Sequence, residues 1–354
     1  MNLRKYIFIG ILFGVSACKI PYNASDVFKE QASLPEDEAP HIKNSLEWWY
    51  FTGHLKDTAK NKKLGVEYVV FHFNPTNIRG GWMINMAVSD PENEKFYYDH
   101  KFFTKSKTQF AALPLNFHWN KKGIKSSFKG QSGRYEIEAQ MDAHPVAYQL
   151  ILNATKDVVL HDGVGYENYG DYAKAGYYTF PRLETKGNIS IDNEKYSVEG
   201  EMWYDRQWNC SGVWERKVAW DWFSIQFEET NSELMLYRLY HLEKDVTLYG
   251  GTYTDEKGNS SFLESDQINI SELESWESPH SEANYPVKWQ IEIPSLALST
   301  QVEAIFPDQE LALNFGPLTK FFYWEGMCKA NGTIGDLQVT GNSYVEMTNR
   351  FRID

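Results

Sequence analysis

The sequence predicts an all-β protein, on three observations. Apolar residues alternate with a period of two, the alternating segments are short and bounded by turn formers, and no long stretch carries a helical period. The segments VEYVVFHF (66–73), GWMINMAVSD (81–90), YEIEAQM (135–141) and VAYQLILNAT (146–155) come first; WFSIQFEE (222–229) and KWQIEIP (288–294) follow. All are rich in the β-branched and aromatic residues that suit a pleated, half-buried surface. Two longer stretches, 188–205 (NISIDNEKYSVEGEMWYD) and 247–264 (TLYGGTYTDEKGNSSFLE), read as hairpins with turns at Asp192-Asn193 and Lys257-Gly258-Asn259. Many short strands over 354 residues indicate barrels or sandwiches, with helix below about 15% against a typical third. No exact repeat is visible, but two similar β units in tandem suit the length. Their join is expected within 210–230, where WNCSGVWERKVAWDWF (208–223) separates two hairpin-rich halves.

The first eighteen residues, MNLRKYIFIGILFGVSAC, have a basic start (Arg4, Lys5), an apolar run from Tyr6 to Val15 and small residues before Cys18. This pattern predicts an export signal over 1–17, too short to span a membrane. Its ending, Val15-Ser16-Ala17-Cys18, resembles a bacterial lipobox and implies lipidation of Cys18, leaving a globular body anchored to the cell envelope by lipid, at the outer membrane or a periplasmic face. From Lys19 to Ile42 the chain is polar or broken by proline, so 18–41 is expected to be a flexible tether. The remainder divides into expected domains at 42–220 and 221–354. No second apolar run is long enough for a transmembrane helix.

A formal charge of −13 argues against nucleic acid, which needs a basic footprint. The aromatic share of 16% suits β cores and also pockets for apolar ligands. Of the three cysteines, Cys210 and Cys328 each lie just beyond an aromatic-acidic motif and are a candidate disulfide pair; no CxxC spacing suggests zinc.

Three stretches set a carboxylate beside tryptophan: LEWWYFTGHL (46–55) with Glu47, GEMWYDRQWN (200–209) with Asp205, and FYWEG (322–326) with Glu325. A carboxylate in apolar company is paired, hydrated or kept for its proton. Strand alternation puts Glu201, Trp203, Asp205 and Gln207 on one face, and Met202, Tyr204, Arg206 and Trp208 on the other. Glu201 and Asp205 lie about 13 Å apart on a strand, too far for a glycosidase pair; Asp205 would need a partner from elsewhere, such as Glu325 or Glu47. GQSG (130–133) falls short of a nucleophile elbow, and DGVGYENYG (162–170) is not a dinucleotide fingerprint. The histidines, His54 and His72 among them, lack metal-ligand spacing, so no metal is expected.

LEWWYFTGHL, YYTFPRL (177–183), GEMWYDRQW, FYWEG and GNSYVEMT (341–348), in that order over about 42–354, resemble the AttH/CrtC family, which includes carotenoid 1,2-hydratases (hydroxyneurosporene synthases). The resemblance implies two lipocalin-like antiparallel β-barrel domains with a ligand cavity in or between them. It makes Asp205 the counterpart of an aspartate that protonates a polyene double bond, with Trp203 two residues before it and Tyr177 and Tyr178 in a segment supplying pocket residues. Gln207, where members often carry an acid, and Thr348-Asn349-Arg350, where the closing motif often ends Thr-Gly-Tyr, depart from the pattern.

These readings combine into one expectation: Asp205, kept protonated by an apolar pocket, donates to a C=C bond of a lipophilic, unsaturated (terpenoid- or polyene-like) small molecule and so hydrates, isomerises or cyclises it. Trp203 and Tyr178 would stabilise the cation through their ring faces, and no cofactor is required. Trp49, Tyr50 and His54 of the first motif, with Tyr177, Trp208, Trp324 and Glu325, make up the expected ligand-binding set. The alternatives are a non-catalytic carrier of a hydrophobic ligand, using the same rings for burial alone, and a hydrolase of glycans or esters. In each case the partners are a small molecule and, through the lipid, a membrane.

Overall fold

The computed structural model describes residues 29–348 apart from 45, 75–79, 105–108, 122, 171–173, 210–217, 242–245 and 317–318. Strand accounts for 70% and helix for 4%, and the helical elements among the described residues are three-residue 3-10 turns. The first sheet holds β1 (Leu46–Asp57), β2 (Lys62–Phe73), β3 (Gly81–Asp90), β4 (Lys95–Thr104), β5 (Gln109–Ala111), β6 (Leu115–Lys121), β7 (Ile124–Gln131), β8 (Arg134–Gln140), β9 (Val146–Ala154), β10 (Val159–Leu160), β11 (Tyr166–Asn168), β12 (Lys174–Ile191) and β13 (Glu194–Trp208). The second holds β14 (Val218–Phe227), β15 (Glu233–His241), β16 (Thr247–Thr254), β17 (Ser260–Leu263), β18 (Asn269–Glu277), β19 (Asn284–Ile293), β20 (Leu298–Ala304), β21 (Glu310–Gly316), β22 (Thr319–Ile334) and β23 (Leu337–Thr348).

All pairings are antiparallel, and the two sheets repeat one device: the last strand returns beside the first. β13 pairs with β1 and β23 with β14, giving the orders β4-β3-β2-β1-β13-β12-β9-β8-β7-β6-β5 and β17-β16-β15-β14-β23-β22-β20-β19-β18. The two sheets form lipocalin-like barrels, one of them nearly closed. Sheet membership changes between Trp208 and Val218, so a domain cut at 220–221 would divide β14. Asn209, with φ of 63° in the left-handed region, turns the chain out of β13.

Alternation sorts each strand into two functions. In the first barrel Trp49, Phe51, Tyr68, Trp82, Phe117, Trp119, Phe128 and Tyr204 point inward and fill the interior. Their rings stack closely, with Phe51 and Tyr204 centroids 4.4 Å apart, so the barrel encloses a packed core. Phe223, Ile225, Trp289 and Trp324 do the same in the second barrel. The opposite faces of β1, β2, β12 and β13 meet those of β14, β15, β22 and β23 through Tyr50, Val69, Tyr177, Trp203, Trp222, Tyr237, Met327 and Tyr344. Polar bonds lock this contact: buried Glu233 of the second sheet accepts from Arg182 Nε at 2.6 Å and Lys156 Nζ at 2.8 Å. Arg182 reaches it from a bulge in β12 between Phe180 and Leu183, where Pro181 interrupts the ladder.

Part of the stretch expected to be a tether is packed on the protein. Residues 18–28 lie outside the described residues, whereas Lys29–His41 is laid against the first barrel. Ala32 N–H donates to Val164 O at 2.8 Å, and Trp49 Nε1 donates to Glu38 O at 3.0 Å. Glu38, wholly buried, accepts from Ser132 N at 2.8 Å and from the Tyr135 hydroxyl. The polarity read as solvation is therefore satisfied by the barrel itself, as buried polar groups require. Cys18 and Cys210 lie outside the described residues; Cys328 is a buried free thiol facing the second core.

Candidate active site

A cleft of about 630 Å³, its mouth included, opens where the two sheets face each other. The first sheet contributes Trp48, Tyr50, Tyr169, Tyr177, Asp205 and Gln207; the second contributes Trp220, Trp222, Tyr237, Leu239 and Glu346. Aromatic walls with a few convergent polar groups are the usual make-up of a small-molecule site.

Asp205 is placed by three adjacent strands. On β13 it lies opposite Tyr50 of β1 and Thr179 of β12, and alternation aims Trp203, Asp205 and Gln207 into the cleft while Arg206 points into the barrel. It is 3% exposed. Oδ2 accepts from the Tyr177 hydroxyl at 2.6 Å; Oδ1 accepts from Trp203 Nε1 at 2.7 Å and from the Thr179 hydroxyl. All three donors are neutral. Burial pushes the carboxyl up to about 7, against the pull of the bonds from Thr179, Tyr177 and Trp203.

The donors are themselves held. Trp222 Nε1 donates to the Tyr177 hydroxyl at 3.1 Å, which directs the tyrosine's own proton to Asp205. Thr179 has one hydroxyl proton and gives it to Asp205, so His161 Nε2–H donates to Thr179 Oγ1 at 2.7 Å. Nδ1 then accepts from Thr252 of β16 at 2.8 Å. Burial lowers His161 to about 3, keeping it neutral. The chain Thr252–His161–Thr179–Asp205 thus runs from the second sheet to the first in one donor direction, fixing the carboxyl's orientation without supplying a charge.

Across the cleft stands Glu346 of β23, half-buried and opposite Trp222 of β14. Burial and the neighbouring Asp205 push it up to about 7, opposed by a bond from Trp220. Glu325 of β22 is its cross-strand neighbour and is buried. Burial, then Glu67 and Glu346, raises Glu325 well above the usual carboxyl range. Glu67 of β2 is buried, and neither of its oxygens has a partner among the described residues; burial and Glu346 raise it likewise.

The structure gathers Asp205, Trp203, Tyr177 and Tyr50 at the cleft. Glu325 and His54 lie in the same inter-barrel layer, Glu325 behind Glu346 and His54 donating from Nε2 to Ser343 O at 2.9 Å; burial lowers His54 to about 4. Tyr178, Trp49 and Trp208 belong to the first barrel's core and Trp324 to the second's. Adjacent residues on a strand face opposite ways, so Tyr177 in the cleft puts Tyr178 inside the barrel. Glu47, weighed as a partner carboxylate, is bound behind the sheet by Arg206, His72 and His41. The residues missing from the sequence reading are Glu346, Trp222, His161, Thr179, Tyr169 and Tyr237. Glu346 and Thr179 do lie in the quoted motifs GNSYVEMT and YYTFPRL, where alternation from Tyr177 would have found Thr179.

This arrangement can hold an apolar molecule between rings, donate a proton from a neutral carboxyl, and stabilise a developing cation through ring faces. A family model described as AttH-like matches residues 27–350. The chain is 22% identical over 241 residues to the dehydratase asqC of Emericella nidulans, a match covering 65% of this chain and 66% of that protein, just under two thirds of its length. Among solved structures, a Nitrosomonas europaea protein described as AttH superposes with a TM-score of 0.79 at 24% identity, covering 92% of this chain and 99% of that one. Kievitone hydratase from Nectria haematococca superposes with a TM-score of 0.71 at 16% identity, covering 90% and 93%. This chain shares its fold with both solved structures, and the family match over nearly the whole sequence shows that it belongs to the AttH-like family.

Proposed function

We propose that the protein is a hydratase- or dehydratase-type lyase for a lipophilic, unsaturated small molecule, with Asp205 as proton donor. The observation carrying this reading is a buried carboxyl that faces a ring-lined cleft, accepts three neutral hydrogen bonds and has no ion-pair partner among the described residues. Similarity to a dehydratase, and a fold shared with a hydratase, support the same reaction class. In the hydration direction the Asp205 proton adds to one alkene carbon, water adds to the other, and the water's second proton leaves. Dehydration reverses each step. A carrier would use the rings but would have no need of the carboxyl. Mass spectrometry of small molecules retained by the purified protein distinguishes them: the parent should hold a pair differing by one water, and Asp205→Asn one member only. The same single unaltered molecule on both proteins would favour the carrier.

We also infer, from the lipobox at 15–18, that the protein works anchored by lipid on Cys18 at a bacterial envelope. Labelling with a fatty-acid analogue should be lost in Cys18→Ser; equal labelling and membrane retention of that variant would refute the anchor.

A further inference from the structure

Asp205 needs a counterpart, because a site that gives a proton to carbon must also take one from the attacking water. Glu346 enters the same cleft from the second sheet, facing Asp205 of the first. The register of β23 fixes this: Val345 and Met347 fill the second core, so Glu346 between them must face the first barrel. Directly beside it, across the β22–β23 ladder, lies Glu325. Like charges directly opposite on neighbouring strands are destabilising, so this pairing suits carboxyls that are not both ionised.

The titratable groups interacting with Glu346 are Asp205 of β13, Glu325 and Tyr323 of β22, Glu67 of β2 and Tyr50 of β1. All of these are acids. Carboxyls crowded in this way titrate as a coupled set, in which loss of one proton raises affinity for the next.

We propose that Glu346 is the second proton-handling carboxyl of the cleft, coupled through space to Asp205 and accepting the proton that water releases. The inference rests on the lyase reading above. In one hydration turn the Asp205 O–H bond breaks and its proton forms a C–H bond with the alkene's π pair. The water oxygen then bonds to the cationic carbon, and its proton passes to the Glu346 carboxylate. Asp205 is left ionised and Glu346 protonated; return of that proton to Asp205 resets the site. One molecule of water is consumed and no redox partner is needed.

Infrared difference titration of the carboxyl bands tests this on the intact protein and needs no ligand. In Glu346→Gln the Asp205 band should titrate at least about one pH unit lower than in the parent, and in Asp205→Asn the Glu346 band should fall by a similar amount. Glu346→Asp, which keeps the carboxyl, should preserve the coupling and serves if the glutamine variant does not fold. An Asp205 band that titrates high but is unmoved by Glu346→Gln would overturn the coupling to Glu346 and leave the lyase reading standing. An Asp205 band near the ordinary carboxyl value in parent and variant alike would overturn both.

Discussion

Arg206→Ala is expected to destabilise the protein by about 3–5 kcal/mol, the usual cost of stripping one partner from a buried ion pair. Arg206 and Glu47 are both wholly buried. The guanidinium lies 3.9 Å from the Trp49 ring. It donates to Glu47, to Ala39 O at 3.0 Å, to His41 Nδ1 at 3.0 Å and to Gln207 O at 2.8 Å. It therefore ties the N-terminal segment, β1 and β13 together beneath the cleft. Arg206, with bonds from His41 and His72, holds the Glu47 carboxyl well below its usual range despite burial. Alanine would leave that buried carboxylate without its cation, held only by its bonds from His41 and His72. A total stability of about 5–15 kcal/mol makes such a loss a large fraction, and the melting temperature should fall by about 6–20 °C. The double variant Arg206→Met/Glu47→Gln, which removes both charges, should recover much of the loss. If Arg206→Ala alone melts with the parent, the pair does not brace the sheet.

The second large effect has the opposite sign. Asp205→Asn should leave the melting temperature at or above the parent's at pH 8 while sharply lowering turnover. With a folded value of about 7 against an ordinary 3.8, the native state holds a proton that the unfolded chain has released over this window. Stability from this group is thus fully present below about pH 4 and is lost as pH rises to about 7. The loss is of order 4 kcal/mol at about 1.4 kcal/mol per pH unit. Asparagine carries no charge to bury, so the variant escapes the loss; an imperfectly matched hydrogen bond to Tyr177 or Thr179 offsets about 1 kcal/mol of that. The gap between variant and parent should widen from pH 5 to pH 8 in thermal melts. A variant that melts far below the parent at pH 8 would make Asp205 a scaffold residue. Turnover should fall by about 10²–10⁴, the range for loss of a general acid.

Much of the fold was legible because a period of two is a local signal. The same alternation puts Asp205 and Arg206 on opposite faces of their strand, and the structure has Asp205 at the cleft and Arg206 packed on Trp49 in the barrel. Applied to YYTFPRL and LEWWYF it also divides Tyr177 from Tyr178 and Tyr50 from Trp49, but motif membership had grouped each pair together. Glu346 could not be read this way. Its place opposite Asp205 depends on β23 closing against β14 and on the two barrels docking, neither of which leaves a mark in local sequence. His161 sits on an isolated 3-10 turn, with no periodicity to aim it. The segment Lys29–His41 looked like a solvated tether because its acids find partners far away in sequence: Glu38 reaches Ser132 and Tyr135. Composition reports polarity, not the partners that satisfy it.

The central claim is that Asp205 keeps its proton near neutral pH inside the inter-barrel cleft. Its most direct test is the protonated-carboxyl infrared band that is present in the parent and absent from Asp205→Asn, followed from pH 4 to pH 9. The account predicts that this band persists through pH 6 and is lost with a midpoint at about 7. A midpoint near 4, or no Asp205 band at pH 5, would show an ionised aspartate and contradict the account.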